Sequence, residues 1–233
     1  LEPLTEDEVV LRDGLERHVR KLAGEIGIRC SADMVGLEAA RRYIQAELSK
    51  YGTGTVPKFT VDGIEFRNVV LELKGDSLPD EIVVVGAHYD SVPTGPGAND
   101  NGSGTAALIE LARIFSSRKH ARTIRFEAYA NEEPPFFRTH GMGSRHQANA
   151  AAERGDDIVA MISLETMGYY RDEEGTQLYP TPLNRFYPKR ADFIAFVGNL
   201  ASRDLVHRMI GTFRDTTKLS LIHISEPTRQ HHI

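Results

Sequence analysis

Three short apolar runs, Glu81–Ala87, Thr123–Ala130 and Ile158–Leu164, constrain the fold of this chain more than any other feature. Each has the length of a strand. Glu81–Ala87 is continuously apolar, the pattern expected where both faces are covered, and the other two read as buried strands as well. Helical spacing occupies the stretches around them. Thr105–Phe115 is strongly amphipathic, and Met34–Lys50 places Leu37, Ala40, Tyr43, Ile44 and Leu48 on one face before stopping at Tyr51-Gly52. Glu6–Ala23 repeats Val9, Val10, Leu15, Val19 and Leu22 at helical spacing, with an end expected at Gly24 or Gly27. Thr55–Val61 and Phe66–Leu73 read as half-buried strands joined by an Asp62-Gly63 turn. Phe193–Phe213 reads as a strand or helix start followed by a helix. Buried strands alternating with helices predict an α/β chain: a three-layer sandwich, with a central mixed, mostly parallel sheet and helices on both faces.

Composition narrows the function classes. The net charge of −5 over 233 residues argues against a nucleic-acid partner, which would ordinarily meet a basic face. The single cysteine, Cys30, excludes an intrachain disulfide framework and a cysteine-based zinc cluster. No apolar run approaches the roughly 20 residues needed for a membrane span. The chain begins with Leu1, and no basic-then-apolar leader follows it.

The chemistry lies where the strands end, the usual place for functional groups in such sheets. The first apolar run delivers His88-Tyr89-Asp90, the second Asn131-Glu132-Glu133, and the third Glu165. Between the first two lies a glycine-dense loop, Gly95–Gly104, which carries Asp100 and opens the Thr105 helix. It lacks the Gly-Lys-Ser/Thr of a phosphate loop and the glycine spacing of a dinucleotide site. A cleft gathering Asp90, Asp100, Glu132, Glu133 and Glu165 around one imidazole repels itself unless a cation neutralises it. Zinc accepts imidazole and carboxylate ligands and keeps a position open when catalytic. Two zinc ions could share Asp100 as a bridge, with His88 and Glu165 on one ion and Glu133 on the other. Glu132, beside a ligand but not one itself, is then free to take a proton from the attacking water. Asp90, two residues past His88, is placed to orient the imidazole.

Gly86-Ala-His-Tyr-Asp-Ser-Val92, Gly97-Ala-Asn-Asp-Asn-Gly-Ser-Gly104, Ala130-Asn-Glu-Glu-Pro134 and Ser163-Leu-Glu-Thr-Met-Gly168 together resemble the dizinc aminopeptidase family of metallopeptidases, metallopeptidase family 28. Glutamate carboxypeptidases and glutaminyl cyclases are relatives within it. The likeness runs from about Leu15 to Arg214, in the expected order. It implies that His88, Asp100 and Glu165 bind one zinc, that Asp100 and Glu133 bind the other, and that Glu132 is the general base. It further implies a peptide substrate, with hydrolysis at the N-terminal peptide bond. An acyl-transferring glutaminyl cyclase and a non-catalytic domain of the same fold are the alternatives. Family habit favours a secreted or periplasmic location.

The family's second zinc takes one more histidine from a downstream loop. The later histidines here are His207, His223, His231 and His232, and His207 sits in a predicted helix. Leu219–Gln230 resembles translated sequencing adapter. Residues 1–217 are therefore expected to form an incomplete catalytic domain, and 218–233 a non-native tail. On that expectation the second zinc site is short of one ligand, and the chain binds less zinc and hydrolyses peptides poorly. Pro134–Phe137, Tyr169-Tyr170 and Tyr179–Tyr187 offer aromatic surface that either lines the substrate pocket or simply packs the loops. Met142-Gly143-Ser144 marks a helix start.

Overall fold

The structure is a computed structural model in which residues 3–179 and 185–226 are described. The chain divides into two compact units, Leu1–Gly168 and Tyr169–Ile233.

The first unit begins with helix α1 (Glu6–Val19). Thr5 and Glu8 close a capping box at its start, satisfying backbone N–H groups that the first turn leaves free. The helix runs into a π-helical turn, Arg20–Ile26, and the second of the two expected glycines ends it: Gly27 has φ 85°. Helix α2 (Met34–Leu48) starts where the Asp33 carboxylate accepts the Gly36 N–H at 3.0 Å. Strands β1 (Gly54–Thr55), β2 (Lys58–Val61), β3 (Ile64–Arg67) and β4 (Val69–Leu73) follow. The sequence reads these as two strands, and the structure makes four. Pro57 has no N–H to donate, and its carbonyl accepts the Asn68 N–H at the break. Asp62 and Gly63, at φ 50° and 80°, turn β2 into β3 as a separate hairpin. β1 and β4 instead join the main sheet.

β5 (Leu78–His88), helix α3 (Gly104–Ser116), β6 (Arg122–Tyr129), helix α4 (Gly143–Arg154) and β7 (Asp157–Ser163) complete the unit. The five-stranded sheet has the order β1-β4-β6-β5-β7. β5 lies parallel to both β6 and β7, whereas β4 is antiparallel to β6. The mixed sheet is as expected. Ile124, Phe126 and Ala128 of β6 pack into one apolar cluster with Leu71 of β4, Ile44 of α2 and Leu108 and Ile109 of α3. Glu127 points to the opposite face, as strand alternation requires, and there accepts a hydrogen bond from Gln147 of α4. Helices therefore cover both faces. The third apolar run is not a fully buried strand: β7 is the last strand in the order, paired with β5, and Ile158, Val159 and Met161 are at least 40% exposed.

In the second unit, β8 (Phe193–Asn199) pairs in parallel with β9 (Ser220–Glu226). Helix α5 (Arg203–Thr216) crosses between them and packs Phe213 edge-on against Phe196. His207, in a helix as expected, lies with its ring centroid 6.1 Å from that of His223. Of the stretch read as a non-native tail, residues 220–226 form β9, while His231 and His232 lie outside the described residues. No helix among the described residues is long and apolar enough to cross a membrane.

The centre of the first unit should be the costliest place to lose volume. Phe126→Ala, at a fully buried ring on a central strand, is expected to lower unfolding stability by about 3–5 kcal/mol. Urea denaturation of the variant beside the parent measures that loss.

Candidate metal centre

His88, Asp90, Asp100, Glu132, Glu133 and Glu165 all lie in the first unit, at or just past the C-terminal ends of β5, β6 and β7 or on the loop that opens α3. His88 is the last residue of β5 and is buried. Its backbone carbonyl accepts from the buried Thr105 hydroxyl at 2.8 Å, which ties the strand end to the first turn of α3. Its Nε2 faces Asp100 Oδ1 at 3.1 Å, Glu165 Oε2 at 3.3 Å and Glu132 Oε2 at 3.8 Å. None of these is aligned as a hydrogen bond, and Nε2 is buried without a partner. One ligand atom each from His88, Asp100 and Glu165 lies within 4.8 Å of the others. Ligand atoms on a tetrahedral zinc, each about 2.0–2.1 Å from the ion, stand about 3.3–3.4 Å apart. The spacing and the orphaned nitrogen fit a divalent cation.

Asp90 does more than the sequence reading gave it. Its Oδ1 lies 3.3 Å from His88 Nδ1, as expected of an orienting carboxylate. The same oxygen accepts the Glu132 N–H at 3.1 Å, and Oδ2 accepts the Glu133 N–H at 3.0 Å. One buried carboxylate thus joins the β5 and β6 strand ends. The turn it holds has Asn131 at φ 62°, a conformation that Asn tolerates better than most residues. Glu133 is buried and its Oε1 has no hydrogen-bond partner. Glu132 is partly exposed. Among the described residues, the converging ligand group comprises His88, Asp100 and Glu165, with Glu133 outside it.

Asn101 was not foreseen as a site residue, although it stands inside the quoted Asn-Asp-Asn-Gly run. It is fully buried. Its amide donates to Leu164 O at 2.9 Å and Glu165 Oε2 at 3.3 Å, while its Oδ1 accepts from Gly104 N and Thr166 N. It therefore fixes Glu165 to the Asp100 loop. The approach is so close that a Cβ on Gly104 would meet Asn101 Oδ1 at 2.3 Å and Leu164 O at 2.6 Å. Among the aromatic candidates, Phe136 packs edge-on against buried Phe66, whereas Phe137, Tyr169 and Tyr170 are exposed. Tyr179 and Tyr187 pack against each other in the second unit, their rings tilted by 33°.

The charges shape one another. Burial alone would lower the His88 pKa, but the Asp100, Asp90 and Glu165 carboxylates outweigh it and push it up to about 12. Asp100 is drawn below its usual range, chiefly by His88. Glu132 is raised by burial and by Asp90, Glu165 and Asp100, against the opposing pull of His88. Burial and the neighbouring Asp100 raise Glu133 to about 7.

Residues 68–215 match the description "Peptidase family M28". The chain belongs to that family. It is 34% identical to the uncharacterized protein YfbL of Escherichia coli over 223 residues, covering 91% of this chain and 68% of that protein. It is 32% identical over 196 residues to a probable zinc metalloprotease of Pyrenophora teres f. teres, covering 72% of this chain. It spans 41% of that fungal relative. The fold is shared with a leucine aminopeptidase precursor from Bacteroides thetaiotaomicron, at a TM-score of 0.66 and 17% identity, over 93% of this chain and 77% of that one. It is shared as well with a glutaminyl cyclase from an Acidobacteriales bacterium, at a TM-score of 0.61 and 19% identity, over 92% and 78% of the two chains.

A cation entering this centre must displace protons. The surrounding carboxylates favour the protonated form of His88, and burial with the nearby Asp100 favours that of Glu133. Zinc titration in buffers of different ionisation enthalpy is expected to show net proton release. Apparent affinity should fall as the pH is lowered from 8 to about 5.

Proposed function

We propose that the protein is a zinc-dependent exopeptidase of the aminopeptidase type, acting on an unblocked peptide N-terminus. The observation that carries this reading is the buried, unpartnered His88 Nε2 facing Asp100, Glu165 and Glu132. Membership of peptidase family M28 and the likeness to a probable zinc metalloprotease support it. His88, Asp100 and Glu165 would hold one zinc, and Asp100 and Glu133 would serve a second. Bound there, zinc supplies Lewis-acid polarisation of the scissile carbonyl and acidifies the attacking water.

The chain's own residues supply proton transfer and alignment. Glu132 stands beside the converging ligands without belonging to them, and its raised pKa brings it closer to neutrality, as suits a group that accepts a proton and later returns it. It takes the proton from the attacking water and delivers it to the departing amine. Asp90 holds the Glu132 backbone and the His88 ring at once, so the base and the first ligand keep one geometry through the reaction.

Glu132→Gln keeps size and polarity but cannot accept the proton. It is expected to lower kcat at least about 100-fold with zinc content unchanged. Release of amino acids from unblocked peptides, assayed alongside cyclisation of N-terminal glutamine, tests the reaction class. Cyclisation without release would replace the peptidase reading by the acyltransferase one.

A further inference from the structure

Arg29 lies outside the residues matched to the family, in the segment between the π-helical turn and α2. It is fully buried, and its guanidinium meets no carboxylate within ion-pair distance among the described residues. Instead it donates to five main-chain carbonyls. Nε reaches Tyr89 O at 2.8 Å, between His88 and Asp90 in the chain. Nη1 reaches Leu22 O, Gly27 O and Pro96 O at 3.0, 2.8 and 2.6 Å, and Nη2 reaches Gly97 O at 3.0 Å. Its backbone is secured as well: Arg29 N–H donates to Ser91 Oγ at 3.0 Å, and Ser91 N–H donates to Arg29 O at 2.8 Å.

These carbonyls belong to three pieces of chain. One is the end of the N-terminal helix, one is the exit of β5 that carries His88 and Asp90, and one is the start of the loop that carries Asp100. The loop closes tightly on the guanidinium. Gly97 has φ +56°, and a Cβ there would meet Asp100 O at 2.3 Å, Ser91 Cβ at 2.7 Å and Arg29 Nη2 at 3.1 Å. A planar fork with five donors can reach carbonyls in several directions from one buried position, whereas an ammonium concentrates its three donors at a single point.

We propose that Arg29 is a positioning residue for the metal centre: it sets the separation of His88 from Asp100 and thereby the affinity and symmetry of the site for a divalent cation. The proposal rests on the metal-centre reading above. It makes the N-terminal helical segment part of the frame of the site, although that segment supplies no ligand.

The test uses the 233-residue chain with zinc, by chelator competition, and with cobalt(II), by visible absorption. Arg29→Lys keeps the charge and loses the fork, and Arg29→Met loses both. Each is expected to weaken zinc binding by about 10-fold or more, the scale seen when groups behind metal ligands are removed. The cobalt absorption band should shift in both. Leu73→Ala, which opens the core beside Ile124 at the end of β6 remote from His88, serves as the stability control and should leave the affinity of the folded protein and the cobalt spectrum unchanged. If Arg29→Met fails to fold, Arg29→Lys decides alone. Parental zinc affinity and an unshifted cobalt band in the folded Arg29 variants would overturn the proposal. Failure of the parent chain itself to bind either metal would overturn the metal-centre reading instead.

Discussion

The rest of this structure depends on holding carboxylates against their mutual repulsion. Two like charges about 4 Å apart oppose each other by about 4 kcal/mol at the dielectric typical of a protein surface. Asp100, Glu132 and Glu165 all approach one imidazole nitrogen within that distance. The protein does not relieve this by moving the groups apart. It relieves part of it by giving Asp90 two backbone N–H donors, and it fastens the loops from behind with hydrogen bonds from Asn101, Thr105 and Arg29 to main-chain carbonyls. What remains is a concentration of negative charge around a nitrogen with no partner. A cation bound there removes the repulsion and satisfies the nitrogen at the same time.

Sheet register explains why the groups meet. β5, β6 and β7 run in one direction, and Gly86 of β5 stands opposite Glu127 of β6 on one side and Ser163 of β7 on the other. His88 and Glu165 each follow that level by two residues, so they leave the sheet side by side. The β6 strand ends level with β5, pairing Tyr129 with His88, before Asn131 turns the chain and places the glutamate pair over the same end. A parallel arrangement is required for this. An antiparallel neighbour such as β4 presents its other end at this level.

Much of this was legible in the sequence because strand ends and ligand types coincide there. His88, Asp100 and Glu165 were recognisable as residue types that share one cation, and the apolar runs before His88 and Glu132 marked the strands that carry them. The frame was less legible. Arg29 has no motif: a charged residue after Gly27-Ile28 reads as a solvated loop, and its burial arises from carbonyls distant in the chain. Asn101 was visible only as part of a glycine-rich run. β7 misled in the other direction, since a continuous apolar run specifies a strand but does not say whether both faces find cover.

Glu132 and Glu133 show how adjacent residues of one type come to differ. Asp90 accepts the backbone N–H of both, so the main chain treats them alike. Their side chains do not share an environment. Glu133 is buried with an unpartnered oxygen, whereas Glu132 retains access to solvent and lies near His88 Nε2. A buried carboxylate with a free lone pair is suited to holding a cation and poorly placed to exchange protons with water. A partly exposed one beside the same cation site stays open to water. The left-handed turn at Asn131 brings the pair over the strand ends, and the different roles proposed for the two glutamates match the different environments they meet there.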